Sequence, residues 1–218
     1  MLKFASVFVA SFAMSAAAQA VTVFTANLTN DQEPGGIVPT LVGGAPRPVS
    51  FGSATFTLND AQTAMTFSAT VFNIDFTGSQ TADINDNLTA AHIHAAATAG
   101  AATFPVVWGF FGTPLNDINP NDVVFSPFVN GVGGTISGKW DAPEGNNGTT
   151  LAAQLPNIFA GRSYINFHTT QFGGGEIRGN IVVAVPEPET YALMLGGLAL
   201  VAGVARRRAR GGRAPSSA

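Results

Sequence analysis

From Thr22 onward, apolar and polar residues alternate in short bouts: Thr22 to Leu28, Ser53 to Leu58 and Met65 to Ile74 each read in–out–in–out. That period of two predicts half-buried β-strands. Asn59-Asp60, between the second and third bouts, is turn chemistry and predicts a hairpin. Further strands are expected at Ala91 to Ala95, Val106 to Phe111, Thr135 to Trp140, Tyr164 to His168 and Glu176 to Val183, separated by Gly, Pro and Asn clusters. Many short strands so punctuated predict an all-β, antiparallel sandwich or barrel. Asp31 to Pro48 and Gly78 to Asn87 read as long loops, and Leu151 to Ala160 as one short helix that Thr149-Thr150 can cap.

The two ends break this pattern. Lys3, the apolar run Phe4 to Met14 and the small residues Ala18-Gln19-Ala20 have the layout of a secretory signal, cut by signal peptidase after Ala20. At the other end Val185-Pro186-Glu187-Pro188 precedes an apolar stretch, Tyr191 to Ala205, and the cluster Arg206-Arg207-Arg208. Alternating prolines deny helical hydrogen bonds, leaving a segment a processing enzyme can reach. The apolar stretch, about 23 Å long as a helix, is expected to form a transmembrane helix, short for a core of about 30 Å, with arginines held on the cytoplasmic side. The chain therefore divides into a signal (residues 1–20), a β domain (21–184), a sorting tail (185–208, span 191–205) and a basic, polar extension (209–218).

Charge sharpens the division. Five of the ten basic residues lie in the last thirteen positions, whereas Val21 to Val185 carries four basic against eleven acidic residues. A body near −7 repels nucleic acid. With no cysteine, the fold rests on a packed core and not on disulfides.

The order Pro186-Glu187-Pro188, apolar helix, arginine cluster resembles the PEP-CTERM sorting signal of Gram-negative bacteria. The resemblance implies an exosortase-type enzyme as partner, transient anchoring in the inner membrane with the body in the periplasm, and release to the cell surface or extracellular matrix. The residues Ala209 to Ala218 extend beyond the point where such signals usually stop. The body carries a second resemblance. Leu28 through Glu33-Pro34, Ala91-His92-Ile93-His94 with Pro105-Val106-Val107, and Tyr164-Ile165-Asn166-Phe167-His168-Thr169 with Gly174-Gly175-Glu176-Ile177-Arg178-Gly179 together resemble the CHRD domain, across about residues 22 to 183. That resemblance implies a Greek-key β-sandwich like that of copper/zinc superoxide dismutase, no established catalytic activity, and a structural or binding role toward an extracellular polysaccharide or protein.

All three histidines, His92, His94 and His168, fall inside these segments. On a strand, i and i+2 share a face about 6.6 Å apart, so His92 and His94 can converge on one ion if His168 arrives from a neighbouring strand. Three neutral imidazoles suit Zn²⁺ or Cu²⁺. A His-x-His pair is by itself a weak pattern, and histidines satisfied by Thr169 or a backbone carbonyl, with no cofactor, are the commoner arrangement. A dismutase-type copper centre would need a fourth His, which the chain lacks. Glu176 and Arg178 share a strand face and are expected to form cross-strand ion pairs; proton transfer is the alternative. Gly173-Gly174-Gly175 reads as a turn. Asp83, Asn85, Asp86 and Asn87 form an acidic loop in which the spacing Asp83-x-Asn85-x-Asn87 resembles half an EF-hand calcium loop, but Leu88 stands where Gly is needed and no Glu closes it. Trp108 and Trp140 read as core aromatics.

Overall fold

In the computed structural model, which describes residues 21–98, 102–184 and 188–211, the first three bouts of alternation become β1 (Thr22–Thr29), β2 (Phe51–Leu58) and β3 (Ala64–Phe72). They pair antiparallel along their whole length, from Thr22↔Leu58 to Thr29↔Phe51 and from Phe51↔Phe72 to Leu58↔Met65. Phe24, Leu28, Phe56, Leu58, Met65, Phe67 and Val71 all point inward, while Thr and Ser predominate on the outer face, where Phe51 and Phe72 also stack on each other. Burial of each large apolar side chain contributes about 1.5–3 kcal/mol, so a one-residue slip would expose the whole inner set. The Asn59 turn forms as expected: its Oδ1 accepts from the backbone N–H groups of Thr63 and Ala64.

β4 (Leu88–Ala95), β5 (Val106–Phe111), β7 (Gly133–Asp141) and β8 (Ser163–Thr169) follow the sequence expectation closely, whereas β6 (Val124–Pro127) was not anticipated. Its four residues are too few to display a period, and it is specified by pairing with β7. The expected strand Glu176 to Val183 is broken into β9 (Ile177–Asn180) and β10 (Val182–Val183), with Glu176 just outside. β9 pairs with β8 and β10 with β1, so the chain changes partners at Ile181. Helix α1 spans Leu151–Phe159, and the Thr150 side chain accepts from Ala153 N–H, as expected of the cap.

The strands lie in the order β5-β4-β8-β9-β1-β2-β3-β7-β6, with β10 beside β1. β9 and β1 meet through one residue pair, Thr29↔Arg178. The fold is thus an antiparallel sheet curled into a half-barrel around one core. Aromatic contacts tie its two halves together: Trp108 of β5 stacks on Trp140 of β7 at 5.6 Å and 5°, and Phe67 of β3 meets Phe110 at 4.7 Å.

Helix α2 (Pro188–Gly211) covers the apolar tail, and Leu193 to Val204 are exposed. The expected membrane span is corrected here. Among the described residues, no helix is long and apolar enough to cross a membrane, because Arg206 and Arg207 end the apolar stretch after about four turns.

Candidate metal centre on the outer face of the β4–β8–β9 sheet

Alternation along β4 and β8 sends Ala91, Ile93, Ile165 and Phe167 into the core and His92, His94, Tyr164, Asn166 and His168 to the opposite face. Register places His92 across from Asn166 and His94 across from Tyr164, while His168 stands across from Ala90. The three histidines therefore gather on the back of the sheet. They are nonetheless buried, with 4, 8 and 8 % of their surface exposed, because three loops fold over them.

Each loop supplies a backbone carbonyl. Nε2 of His92 lies 3.1 Å from the Thr113 carbonyl, Nδ1 of His94 lies 2.6 Å from that of Phe104, and Nδ1 of His168 lies 2.9 Å from that of Gly173. A carbonyl can only accept, so each of these ring nitrogens carries the proton. The lone pairs are then left on Nδ1 of His92, Nε2 of His94 and Nε2 of His168. One ligand nitrogen per histidine lies within 4.8 Å of its counterparts on the other two, and this is the metal-competent cluster among the described residues. His92 Nδ1 and His168 Nε2 stand 3.1 Å apart, and His94 Nε2 is buried with no partner. With the outer protons committed, the His92 and His168 nitrogens confront each other lone pair to lone pair, an arrangement that a shared cation would stabilise.

Burial and mutual proximity keep the cluster neutral. Burial first, then the neighbouring imidazoles, push His92 down to about 4. Burial likewise takes His94 to about 4, against the pull of its Phe104 hydrogen bond, and lowers His168. Neutral imidazole is the ligating form.

The surround is equally specific. The Tyr164 ring stacks on His94 at 4.7 Å and 13°, and the Arg178 guanidinium lies 4.6 Å over its ring. Arg178 also donates to the Gln32 carbonyl and, at 2.9 Å, to that of Ala102. Gly109 admits the loop that carries Thr113: a Cβ there would strike the Pro114 carbonyl and lie 3.0 Å from His92 Cδ2. The histidines are legible in the sequence, whereas Asn166, whose Oδ1 lies 3.1 Å from His168 Nε2, and the three carbonyls are not marked there as part of the cluster. Asn166 carried a signal, lying two residues before His168 on the same strand face; the carbonyls carried none.

Other expected features resolve differently. Glu176 and Arg178 make no cross-strand pair. Glu176 is fully buried and takes a two-pronged ion pair from Arg47, at 2.8 and 2.5 Å, with Ser50 and Thr169 hydroxyls donating to the same carboxylate. Arg47 comes from the loop after β1, far off in sequence. The acidic loop's carboxylates accept from protein donors: Asp83 from Val42 N–H of the preceding long loop and from Asn85 N–H, and Asp86 from the Thr81 hydroxyl. Trp108 and Trp140 are core residues as expected, and both indoles donate to Glu144. Of the processing residues, Ala18, Ala20, Val185, Pro186 and Glu187 lie outside the described residues, Pro188 opens α2, and Arg206, Arg207 and Arg208 lie near its end.

The CHRD domain family model matches residues 24–181, nearly the whole β body. The chain belongs to the CHRD domain family. Residues 184–209 match the PEP-CTERM protein-sorting motif. No curated protein and no solved structure matches, so the dismutase likeness stays an expectation of the family resemblance. The CHRD body is therefore exported and sorted through its tail, whose motif implies recognition by an exosortase-type enzyme.

Proposed function

We propose that this exported CHRD protein is a non-enzymatic metal-binding module of the cell surface or extracellular matrix, holding one Zn²⁺ or Cu²⁺ ion through His92 Nδ1, His94 Nε2 and His168 Nε2. The observation that carries the reading is the set of three outer hydrogen bonds. By tying one nitrogen of each ring to a backbone carbonyl, they leave one lone pair free on each ring, in a cluster where one nitrogen per ring lies within 4.8 Å of those of the other two. Second-shell partners of this kind fix tautomer and orientation in metal-ligating histidines. The donors available, three imidazole nitrogens without thiolate or carboxylate, suit Zn²⁺ and Cu²⁺ better than Ca²⁺ or Mg²⁺.

Burial argues for a holding role over catalysis. The imidazoles are more than nine-tenths covered, whereas a catalytic zinc keeps a position open to substrate. Elemental analysis of the purified body tests the proposal. One equivalent of Zn or Cu is expected, lost in His92→Ala and His168→Ala variants that still fold. Metal-free protein that does not take up either ion on exposure would overturn it.

A further inference from the structure

We infer that the ion is held by a fourth protein ligand, the side-chain carbonyl Oδ1 of Asn166, which the buried carboxylate of Glu33 turns toward it. The inference rests on the metal reading of the three histidines and adds a ligand and a positioning residue to it.

Asn166 stands across from His92 in the β4–β8 register and is 1 % exposed. Its Oδ1 lies 3.1 Å from His168 Nε2. His168 has given its ring proton to the Gly173 carbonyl, so oxygen and nitrogen here are both acceptors. Two acceptors side by side repel unless something positive lies between them. The same spacing, together with the 3.1 Å from His92 Nδ1 to His168 Nε2, is close to the edge of about 3.4 Å in a tetrahedron with bonds of about 2.1 Å.

An amide could escape the conflict by turning over and presenting its NH₂ to the imidazole. Glu33 opposes that. Its Oε1 lies 3.5 Å from Asn166 Nδ2, and a carboxylate accepts this donor but would repel an amide oxygen put in its place. Glu33 is 7 % exposed, and it reaches the amide because residue 175 is a glycine at φ +126°: a Cβ there would collide with the Glu33 carboxylate. Three imidazoles and an amide carry no charge, so Glu33 also places negative charge one side chain away from the cation. Glu33 thus acts through Asn166 and not on the ion.

Zn²⁺ titration of the stripped full-length body, with Co²⁺ as a visible-band probe, tests this in wild type, Asn166→Ala, Asn166→Asp, Glu33→Gln and the Glu33→Gln/Asn166→Asp double variant. Asn166→Ala and Glu33→Gln are each expected to weaken binding about 10- to 100-fold and to alter the Co²⁺ bands. In the Asn166→Asp background, Glu33→Gln is expected to cost little, because a carboxylate presents an oxygen whichever way it turns. Wild-type affinity and bands in Asn166→Ala, with binding abolished by His168→Ala, would overturn the fourth ligand and leave the three-histidine site standing. An equal cost of Glu33→Gln in both backgrounds would overturn its orienting role. Absence of binding in wild type would overturn the metal reading itself. Should Asn166→Ala not fold, Asn166→Asp decides alone: tighter binding with shifted bands supports the inference, and unchanged binding refutes it.

Discussion

Single atoms decide what this protein's polar groups can do. His92, His94 and His168 were visible in the sequence, but their tautomers are set by the carbonyls of Thr113, Phe104 and Gly173, and any residue type supplies a carbonyl. Side-chain identity therefore could not reveal which nitrogens face inward. Asp117 shows the same dependence on surroundings. It is fully buried, one oxygen accepts the N–H groups of Asp122 and Val123, and the other has no partner. Burial, with Glu144 nearby, pushes its carboxyl from 3.8 up to about 6. The folded state therefore holds a proton that the unfolded chain releases between those values. Stability contributed by that proton is full below about pH 4 and is lost as pH rises through about 6. Asp117→Asn keeps an acceptor for the two N–H groups and abolishes the charge. Relative to wild type, it is expected to gain on the order of 2 kcal/mol between pH 4 and pH 8, read from urea unfolding at both values. A pH-independent difference would contradict this account of Asp117.

Among elements, those whose specification is local were legible and those specified at a distance were not. β1, β2 and β3 follow directly from alternation because each has one dry face and one wet face, and the Asn59 turn follows from its own side chain. β6 escaped because its four residues take their form from β7. The break at Ile181 escaped because it reflects a change of partner strand, to which local propensity is blind. The Glu176 partner escaped for the same reason: Arg47 is 129 residues away. That pair fastens the β1–β2 loop to the β8–β9 turn, the region that also carries Glu33 and Gly173. Both side chains are essentially inaccessible, at 3 and 0 % exposed. Arg47→Ala leaves the Glu176 carboxylate buried and without its counter-charge, and is expected to cost about 3–5 kcal/mol in chemical denaturation. Arg47→Ala/Glu176→Leu, which removes both charges, is expected to recover much of that loss. A cost for Arg47→Ala below about 1 kcal/mol, the range of exposed pairs, would show that the clasp is not a buried ion pair in solution.

For the whole molecule, destination and activity are written in different places. The tail's sorting signal is a linear motif that a sequence displays in full, as is the secretory layout expected at the N-terminus. The body's chemistry depends on β4 and β8 lying side by side, which only the folded sheet reveals. A product cut at both ends is expected to begin at Val21 and to end near Pro186-Glu187-Pro188. Intact-mass spectrometry of protein recovered from the surface of a host with an exosortase-type enzyme is expected to find both ends cut. A surface-recovered chain that retains the Arg206-Arg207-Arg208 cluster would contradict processing at the tail.

The proposed function requires that three histidines on the back of a curled sheet be preset, by backbone carbonyls, to hold one ion. Calorimetric titration of the metal-stripped protein with Zn²⁺ tests it most directly. Saturation is expected at one equivalent, with proton-independent heat near neutral pH because the ligating nitrogens carry no protons to release, and a melting temperature that rises with free Zn²⁺. Absence of a one-to-one transition, or the same transition in a His92→Ala/His168→Ala variant, would contradict it.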